Sequence, residues 1–245
     1  MTRAAIRPGA TLTQFSVIEA LMVGDYDGVF RMRDALRFGD VGIGCTDRIE
    51  AEVVVLDGRP WQCRSDGSCS PLDPDALLPF VEMCHLDPDA VVHPLGEITH
   101  DELAAAVDGA LASRNHFHAI RVDGEFSRVR IRATPAQTPP YRPLAEVAKE
   151  QVEHELVEMT GTLIGFWSPS IYQGITVAGL HLHFLTDDRS TGGHVLDVVT
   201  TRGAMRVSAY ADFDLRLPES GAFLGSSLSG DLDAEIVAVE GRTAH

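Results

Sequence analysis

Residues 178–194 constrain the fold of this chain more than any other stretch, because they combine paired histidines with a predicted chain reversal. His181 and His183 are two residues apart, and side chains at positions i and i+2 of a strand point to the same face. Residues 186–193 are rich in Asp, Ser and Gly, a composition typical of a turn. The segment therefore predicts a β-hairpin whose return strand brings His194 to the face that carries the other two imidazoles.

Three imidazoles that converge from rigid strands form a nitrogen site suited to a borderline metal such as Zn²⁺. Three protein ligands leave the fourth coordination position open to water or substrate, which is typical of catalytic rather than structural zinc sites. The alternative is a histidine pair on a solvated sheet face, with His194 nearby by chance. The spacing alone leaves both interpretations open.

A second histidine pair, His116 and His118, has the same spacing. It is followed by a predicted strand and turn at residues 119–124, but no third histidine lies at hairpin distance downstream. We therefore predict an ordinary half-buried strand here rather than a second metal site.

The bulk composition limits the classes of partner. A chain of 245 residues with 44% hydrophobic content can bury one large core or two smaller ones. A phosphate backbone or an anionic membrane would repel its net charge of -16, so we expect neither nucleic acid nor lipid as a partner. No secretory signal is visible, and no stretch approaches the ~20 apolar residues of a membrane helix, which favours a cytoplasmic protein.

Two common kinds of cofactor chemistry lack their residues in this sequence. Schiff-base and pyridoxal chemistry need a lysine in a desolvated pocket, yet the sole lysine, Lys149, falls on the polar face of a predicted helix. The glycine-rich run at residues 39–45 resembles a phosphate loop, but no Lys-Ser/Thr follows it, and the next residues predict a strand. We therefore expect no nucleotide site there.

The four cysteines are Cys45, Cys63, Cys69 and Cys84, and none forms the C-x-x-C pair of a structural zinc knuckle. Cys63 and Cys69 flank a turn and can form a disulfide in an oxidising compartment. Because no signal peptide is visible, we expect free thiols in a cytoplasm.

Candidate acid–base and substrate-binding groups lie on two predicted strands. Residues 51–58 are a β-branched run that ends in Asp-Gly, which favours a tight hairpin turn to a return strand. Within this run, Glu52 either points to water or lines a pocket where burial raises its pKa into a useful acid–base range. On the second strand, Arg128, Arg130 and Arg132 share one face. They either form a solvated face or include one arginine that binds a substrate carboxylate.

Helices and a last strand complete the predicted elements. A capping box at residues 99–102 opens a helix that we predict to run to about Ser113. The apolar spacing of residues 144–159 predicts a second, amphipathic helix. Residues 236–240 predict a last short strand.

These elements predict an α/β (α+β) protein of two parts, built on mixed β-sheets with a few packing helices. We expect an N-terminal mixed-sheet domain at residues 1–118 and a C-terminal metal-binding sheet domain at residues 119–245. Each half contains a helix and a glycine-rich strand followed by further strands, so an internal duplication is left open.

The histidine hairpin lies within a longer set of motifs. Residues 161–169 read Gly-Thr-Leu-Ile-Gly-Phe-Trp-Ser-Pro, residues 172–184 read Tyr-Gln-Gly-Ile-Thr-Val-Ala-Gly-Leu-His-Leu-His-Phe, and residues 192–197 read Gly-Gly-His-Val-Leu-Asp. Together they resemble the α-acetolactate decarboxylase family. Shorter motifs extend the resemblance over nearly the whole chain, at residues 14–22, 26–28, 39–44, 65–67 and 119–124.

The resemblance implies six site residues, namely three metal-binding histidines, an acid, an active-site arginine and a C-terminal glutamate. In that order they are His181, His183, His194, Glu52, Arg132 and Glu240. It thereby selects Arg132 among three arginines that the strand pattern does not distinguish. It also adds Glu240, which spacing alone does not link to the site. The family further implies a two-part fold on mixed sheets and a homodimer.

Three positions depart from the pattern of the family. Ala51 stands where we expect glycine, Cys45 where we expect threonine, and His118 where we expect tyrosine. None of these changes removes a ligand or a charged group, so they bear on the shape of the pocket rather than on the chemistry.

The implied reaction is the decarboxylation of 2-acetolactate to acetoin and carbon dioxide. The electron pair left on the former C2 spreads into the neighbouring ketone as an enediolate, and a divalent metal stabilises that charge as a Lewis acid. We expect Arg132 to orient the departing carboxylate and Glu52 to deliver a proton to one face of the enediolate. Glu240 would ligate the metal or steady bound water and substrate.

Two questions stay open at this point. A zinc-dependent hydrolase of a small anionic substrate, with Glu52 as general base, is the alternative function. The metal itself is also open: three histidines suit zinc, but iron, nickel, cobalt and copper accept imidazole as well.

Overall fold

A computed structural model of the chain describes residues 1–228 and 232–240, and most of its regular structure consists of strands. The strands are β1 (Thr11–Phe15), β2 (Phe30–Arg31), β3 (Val41–Cys45), β4 (Ala51–Leu56), β5 (Arg59–Arg64), β6 (Cys69–Pro71), β7 (Leu77–Leu78), β8 (Phe80–Cys84), β9 (His93–Leu95), β10 (Ile98–Thr99), β11 (Phe117–Ala133), β12 (Val152–Ser168), β13 (Gly179–Thr186), β14 (Gly192–Tyr210) and β15 (Asp212–Arg216). The α-helices are α1 (Ile18–Met22), α2 (Met32–Ala35), α3 (His100–Ala110), α4 (Leu144–Val147), α5 (Gly221–Gly225) and α6 (Asp233–Glu240). Single 3₁₀ turns occur at Leu36–Phe38, Asp47–Ile49, Ala148–Glu150 and Ser170–Tyr172.

The strands form two large sheets. The first has seven strands in the order β15-β1-β8-β3-β4-β5-β6, and it is mixed because β1 and β15 are parallel while its other neighbours are antiparallel. The second has the order β10-β14-β11-β12-β13, with β9 also paired to β14. Strand β13 pairs with both β12 and β14, so the second sheet closes on itself at the histidine hairpin.

This architecture confirms the predicted α/β (α+β) class of mixed sheets with few helices. The C-terminal strand β15 pairs with β1 at the start of the chain, which completes the first sheet. The division into 1–118 and 119–245 stays a prediction.

Four apolar clusters are formed by the described residues, and three of them matter for the position of the site. One lies between the two sheets and includes Leu12, Ile43 and Val54 from the first sheet with Ile164 and Phe166 from the second. Another packs α3 against the second sheet. The third gathers the short helices α1, α4 and α6, and its members include Ile18, Leu21, Leu144, Ile236 and Val239. This third cluster forms the apolar border of the candidate site described below.

Two short-range predictions are confirmed. Helix α3 begins at a capping box in which the Thr99 hydroxyl accepts from the backbone N–H of Glu102, and the Glu102 carboxylate accepts from the backbone N–H of Thr99. The helix ends at Ala110, before the predicted Ser113. The β4–β5 hairpin turns at Asp57 and Gly58, both with the positive φ that such turns require.

The helix predicted at residues 144–159 is wrong beyond its first turns. Helix α4 covers only Leu144–Val147, and from Val152 the chain is strand β12. The reason is tertiary: the register from Val152 with Ala133 to Met159 with Phe126 places β12 beside the long strand β11. Pairing satisfies the backbone groups of both strands, and this outweighs a helical spacing of apolar residues.

The strand predicted at residues 236–240 is also wrong, because these residues form the end of helix α6. Ile236, Val239 and Glu240 are buried, a spacing of three and four that fits a helix rather than an alternating strand. The turn of the helix therefore places the Glu240 carboxylate on the buried side together with two apolar residues.

The expectation of free thiols is wrong for one cysteine pair. Cys63 and Cys69 form a disulfide, because β5 and β6 place them directly opposite each other with Cα atoms 4.2 Å apart. Cys45 and Cys84 are free, as expected, and the structure shows that both are buried.

Among the described residues, none of the helices combines the length and the apolarity that crossing a bilayer demands.

Candidate metal centre

The histidine hairpin forms as the sequence predicts. His181 and His183 lie two residues apart on β13, and His194 lies directly opposite His183 on β14. Gly193 has φ of 156°, and a Cβ atom built there would lie 2.8 Å from the Arg132 carbonyl oxygen. Glycine at this position therefore lets β14 pass close to β11 immediately before His194.

The three imidazoles converge inside the protein. Their exposed fractions are 6% for His181, 1% for His183 and 1% for His194. One nitrogen from each ring lies within 4.8 Å of the others, and the Nε2 of His181 is 3.1 Å from the Nδ1 of His194. Within residues 1–228 and 232–240, this is the one group of histidine, cysteine and acidic side chains with the geometry to hold a metal ion.

The surroundings keep these rings neutral, which is the form that binds a metal. Burial, with a smaller contribution from Arg132, lowers the pKa of His181 to about 3. Burial likewise holds the pKa of His183 and of His194 well below the ordinary value. The Nδ1 of His183 lies 3.0 Å from the Val53 carbonyl oxygen, so it carries the proton and leaves the Nε2 lone pair free.

Two carboxylates approach the imidazoles from different elements. Glu52 on β4 places its Oε2 3.6 Å from the Nε2 of His183. Glu240 at the end of α6 places its Oε2 3.7 Å from the Nε2 of His181 and 3.6 Å from the Nδ1 of His194. Carboxylate oxygens from two distant segments of the chain therefore border the cluster of nitrogens.

Arg132 joins the two carboxylates. It is 3% exposed, whereas Arg128 and Arg130 on the same strand face are exposed and face Asp197 and Glu153 respectively. The Arg132 Nη1 lies 3.7 Å from Glu52, and its Nη2 lies 3.1 Å from Glu240. The Nη2 also donates to the Val239 carbonyl oxygen at 2.9 Å, which fixes the guanidinium against the last turn of α6.

Glu52 has the properties of an acid–base group. Burial raises its pKa to about 7; the nearby Arg132 cation opposes this shift, and the Glu240 carboxylate adds to it. A carboxyl group with such a pKa exists in both protonation states near neutral pH, so it can donate or accept a proton during a reaction.

These groups line one cavity with a polar and an apolar side. The polar side contains Glu52, Arg132, His181, His183, Glu240 and Thr134. The apolar lining comes from α1, α4, the start of β8 and the 3₁₀ turn at Asp47–Ile49, with Ile18, Leu21, Ile49, Phe80 and Leu144. The cavity therefore suits a small molecule with an anionic or oxygen-rich end and an alkyl end.

Sequence reasoning missed several members of this site. The Val53 carbonyl group that orients His183, the hydroxyl of Thr134 and the apolar wall come from elements far apart in the sequence. No local pattern marks them, since each is an ordinary residue of its strand, helix or loop.

The unusual residues noted in the sequence have definite positions. Cys45 lines the cavity and is paired across β3 and β4 with Glu52. Ala51 is buried one residue before that acid. His118 lies away from the cavity, fully buried on β11, and its Nε2 accepts from the backbone N–H of Ala112 at 3.0 Å.

A donor set of three neutral imidazole nitrogens in a buried pocket fits a borderline divalent ion better than Mg²⁺ or Ca²⁺, which prefer oxygen ligands. With two carboxylates and one arginine beside it, such a centre can bind a small oxyanion and move a proton. The arrangement is therefore that of a metal-capable active site.

Comparisons with known proteins agree with this arrangement. Residues 12–230 match the family model for alpha-acetolactate decarboxylase. The chain is 40% identical to the alpha-acetolactate decarboxylase of Methylococcus capsulatus over 227 residues, which are 93% of this chain and 87% of that protein. It is 33% identical to that of Bacillus subtilis over 236 residues, 96% of this chain and 92% of that protein.

A solved structure supports the same assignment. The crystal structure of alpha-acetolactate decarboxylase from Bacillus subtilis strain 168 superposes with a TM-score of 0.92 at 33% identity, covering 95% of this chain and all of that one. Fold, length and sequence thus agree over nearly the whole molecule. This chain belongs to the alpha-acetolactate decarboxylase family.

Proposed function

We propose that this chain catalyses the metal-dependent decarboxylation of 2-acetolactate to acetoin and carbon dioxide. The observation that carries the proposal is the convergence of three buried, neutral imidazoles beside a cavity that Glu52, Arg132 and Glu240 line. Membership of the family supports the choice of substrate, which is a small 2-hydroxy-3-oxo acid with an anionic end and two methyl groups.

His181, His183 and His194 would hold the ion, and we propose Zn²⁺, whose preference for nitrogen ligands in a tetrahedral set supports this choice. When bound, the ion supplies Lewis acidity that stabilises the enediolate charge by several kcal/mol. The three rings bring no charge of their own, so the ion would keep its full positive charge toward the substrate.

Arg132 is placed to orient the carboxylate that leaves. Its guanidinium lines the cavity and is held from behind by the Val239 carbonyl oxygen. Among the described residues its buried Nε–H has no acceptor, so a donor is available to a substrate carboxylate. In the reaction the bond between this carboxylate and C2 breaks, carbon dioxide departs, and the electron pair stays on the substrate.

Glu52 would then return a proton to the former C2. Its raised pKa keeps a large share of the carboxyl group protonated near neutral pH, and it lies on one side of the cavity only. Proton delivery from one side gives acetoin of a single handedness, and solvent reprotonates the carboxylate afterwards.

Glu240 would ligate the metal or steady the bound water and substrate beside it. Its short distance to Arg132 supports a second effect, which is to keep the guanidinium in place. We also propose that the protein is a homodimer, which the resemblance to the family implies, and that it works in the cytoplasm.

The test is an acetoin assay on chelated protein and on the same protein resupplied with each divalent metal in turn. The proposal predicts that chelation abolishes carbon dioxide release and that zinc or a related ion restores it. Unchanged turnover of acetolactate after complete metal removal contradicts the metal dependence. Ester hydrolysis without acetoin formation would favour a zinc hydrolase instead.

A further inference from the structure

A buried acid that the proposed reaction does not use lies in the first sheet. Glu82 on β8 is 1% exposed, and the hydroxyl of Thr176 donates to its Oε1 at 2.8 Å. Gln14 is its direct cross-strand partner on β1 and is fully buried. Directly opposed residues of an antiparallel pair have Cβ atoms about 4.5–5.5 Å apart on the same face, so the two side chains are neighbours.

The hydrogen bonds of Gln14 leave one acceptor without a donor. Its Nε2 donates to the carbonyl oxygens of Ser16 at 2.7 Å and of Ile175 at 2.8 Å, which fixes the orientation of the amide. Its Oε1 is buried, and no donor reaches it among residues 1–228 and 232–240. A buried acceptor without a partner costs about 1–3 kcal/mol, so a missing proton donor is expected beside it.

Among residues 1–228 and 232–240, no cation is found beside Glu82. Its neighbours are Gln14 on β1, Ile43 on β3, and Phe80 and Cys84 along β8. The other titratable groups here are the Cys84 thiol and the Glu19 carboxylate on α1, which lies against Gly174. A carboxylate without a cation in such surroundings is strongly disfavoured, and burial raises the pKa of Glu82 to about 7.

We propose that Glu82 is a positioning residue that acts as a protonated acid, accepting from Thr176 and donating to the Oε1 of Gln14, and thereby anchors residues 172–178 beneath the active site. One neutral carboxyl group satisfies both partners at once. This role goes beyond the proposed function, although its catalytic readout rests on it.

The anchored segment contacts two elements that border the cavity. The carbonyl oxygens of Ile175 and Gly174 accept from the backbone N–H groups of Ile18 and Glu19, which open helix α1. Because Ile18 lines the cavity, a shift of the segment moves the apolar wall.

The same segment also holds α6 and leads into the histidine strand. Val177 packs in one cluster with Ile236 and Val239, and Gln173 donates to the Asp233 carbonyl oxygen at 3.4 Å. Helix α6 carries Glu240, and residue 179 begins β13. Glu82 therefore supports helix α6, which carries Glu240, and strand β13, which carries His181 and His183.

The test compares two substitutions of Glu82 in the full chain. Glu82→Gln retains an acceptor for Thr176 and a donor for Gln14, so we expect kcat/KM within about twofold of the unmodified protein. Glu82→Leu removes both, and we expect a fall of about tenfold to hundredfold through misplacement of the site groups. Thr176→Val removes the hydroxyl that donates to Glu82. Thr176→Ser is its matched control, because serine retains the hydroxyl, and this variant should stay active.

A second readout does not depend on turnover. The infrared difference spectrum between unmodified protein and Glu82→Gln at pH 6 should contain the band of a protonated carboxylic acid. The pKa of Glu82 is raised in the folded protein, so protonated Glu82 contributes to the free energy of unfolding at low pH. This contribution is lost as the pH rises through about 7. The free energy of unfolding of Glu82→Gln should not show this loss.

Two results would overturn the inference: a carboxylate band for Glu82 at pH 6, or a Glu82→Gln variant as impaired as Glu82→Leu. Failure of the proposed function is distinguishable, because it would appear as absence of acetoin formation in the unmodified protein. The infrared and stability results would be unaffected by that outcome.

Discussion

Two histidine pairs with the same spacing have different structural roles in this protein. His181 and His183 both lie on β13, and the return strand brings His194 opposite them, so three ring nitrogens face one point. His118 lies on β11, and its Nε2 accepts a hydrogen bond from the backbone N–H of Ala112. His116 precedes the strand. The alternating pattern therefore does not by itself produce a metal site. A pair can bind a metal ion only where a third ligand lies nearby and the ring nitrogens keep free lone pairs.

The electrostatic surroundings reinforce this difference. Burial lowers the pKa of both kinds of histidine, to about 4 for His118 and to about 3 for His181. Both rings are consequently neutral at pH 7, but only the second is bordered by Glu52, Glu240 and Arg132. The neutral ring of His118 therefore serves as a structural hydrogen-bond acceptor, whereas the neutral ring of His181 is proposed to bind a metal ion.

The largest effect is expected from His183→Ala. Loss of one of three ligands should remove the metal and lower kcat/KM by about 10³-fold or more, since several kcal/mol of charge stabilisation are lost. The measurements are metal content after dialysis and acetoin formation. His118→Leu is the control and should retain full metal content; a variant of His118 that loses its metal would break the comparison.

A smaller but still large effect is expected from Glu52→Gln. The variant should bind metal as before, because the three imidazoles are intact, while turnover falls by about 10²–10⁴-fold through loss of proton transfer. Steady-state kinetics and the enantiomeric composition of the acetoin check this. Full activity in this variant would remove Glu52 from the mechanism.

Arg132→Lys tests the cation beside the metal site. A lysine keeps the charge but loses the planar set of donors that reaches Glu52 and Glu240, so we expect kcat/KM to fall by about 10²-fold. Arg128→Lys is the matched control on the same strand face, where the arginine is exposed and paired with Asp197. Equal losses in the two variants would show that position 132 has no special role.

The smallest effect is expected on the free energy of unfolding, from a substitution of His118. His118→Leu leaves the backbone N–H of Ala112 without an acceptor and should lower the free energy of unfolding by about 1–3 kcal/mol. Denaturant titration measures this, and metal content should not change. A variant as stable as the parent would contradict a structural role for this ring.

The same pair gives a test by pH. The pKa of His118 is lowered in the folded protein, so between about pH 6.5 and 4 the unfolded chain binds more protons. The parent protein should therefore lose stability as the pH falls through this range more steeply than His118→Leu does. Parallel pH profiles of the two proteins would count against a buried neutral ring.

The sequence could predict those features whose cooperating residues lie close together along the chain. The histidine hairpin is local, so strand periodicity and turn composition suffice to place His181, His183 and His194 together. The capping box of α3 and the Asp57–Gly58 turn are local for the same reason. Arg132, by contrast, shares its strand pattern with two exposed arginines, so the pattern alone does not distinguish it. The family resemblance does, and in the structure its guanidinium donates to the Val239 carbonyl oxygen of α6.

The failures have tertiary causes. Residues 152–159 have helical apolar spacing but become strand because β11 offers a continuous partner for pairing. Glu240 was expected on a strand, yet its helix brings it 3.6 Å from His194 across the chain. Glu82 carries no sequence signal at all, since this acid and its partners Gln14 and Thr176 come from three separate segments of the molecule.

The central claim is that three ring nitrogens hold one divalent cation. Anomalous X-ray diffraction at the absorption edge of the bound metal tests it most directly. We predict a single peak at about 2.0–2.1 Å from the Nε2 of His181, the Nε2 of His183 and the Nδ1 of His194. A peak elsewhere in the molecule, with none between these rings in metal-loaded active protein, would contradict the account.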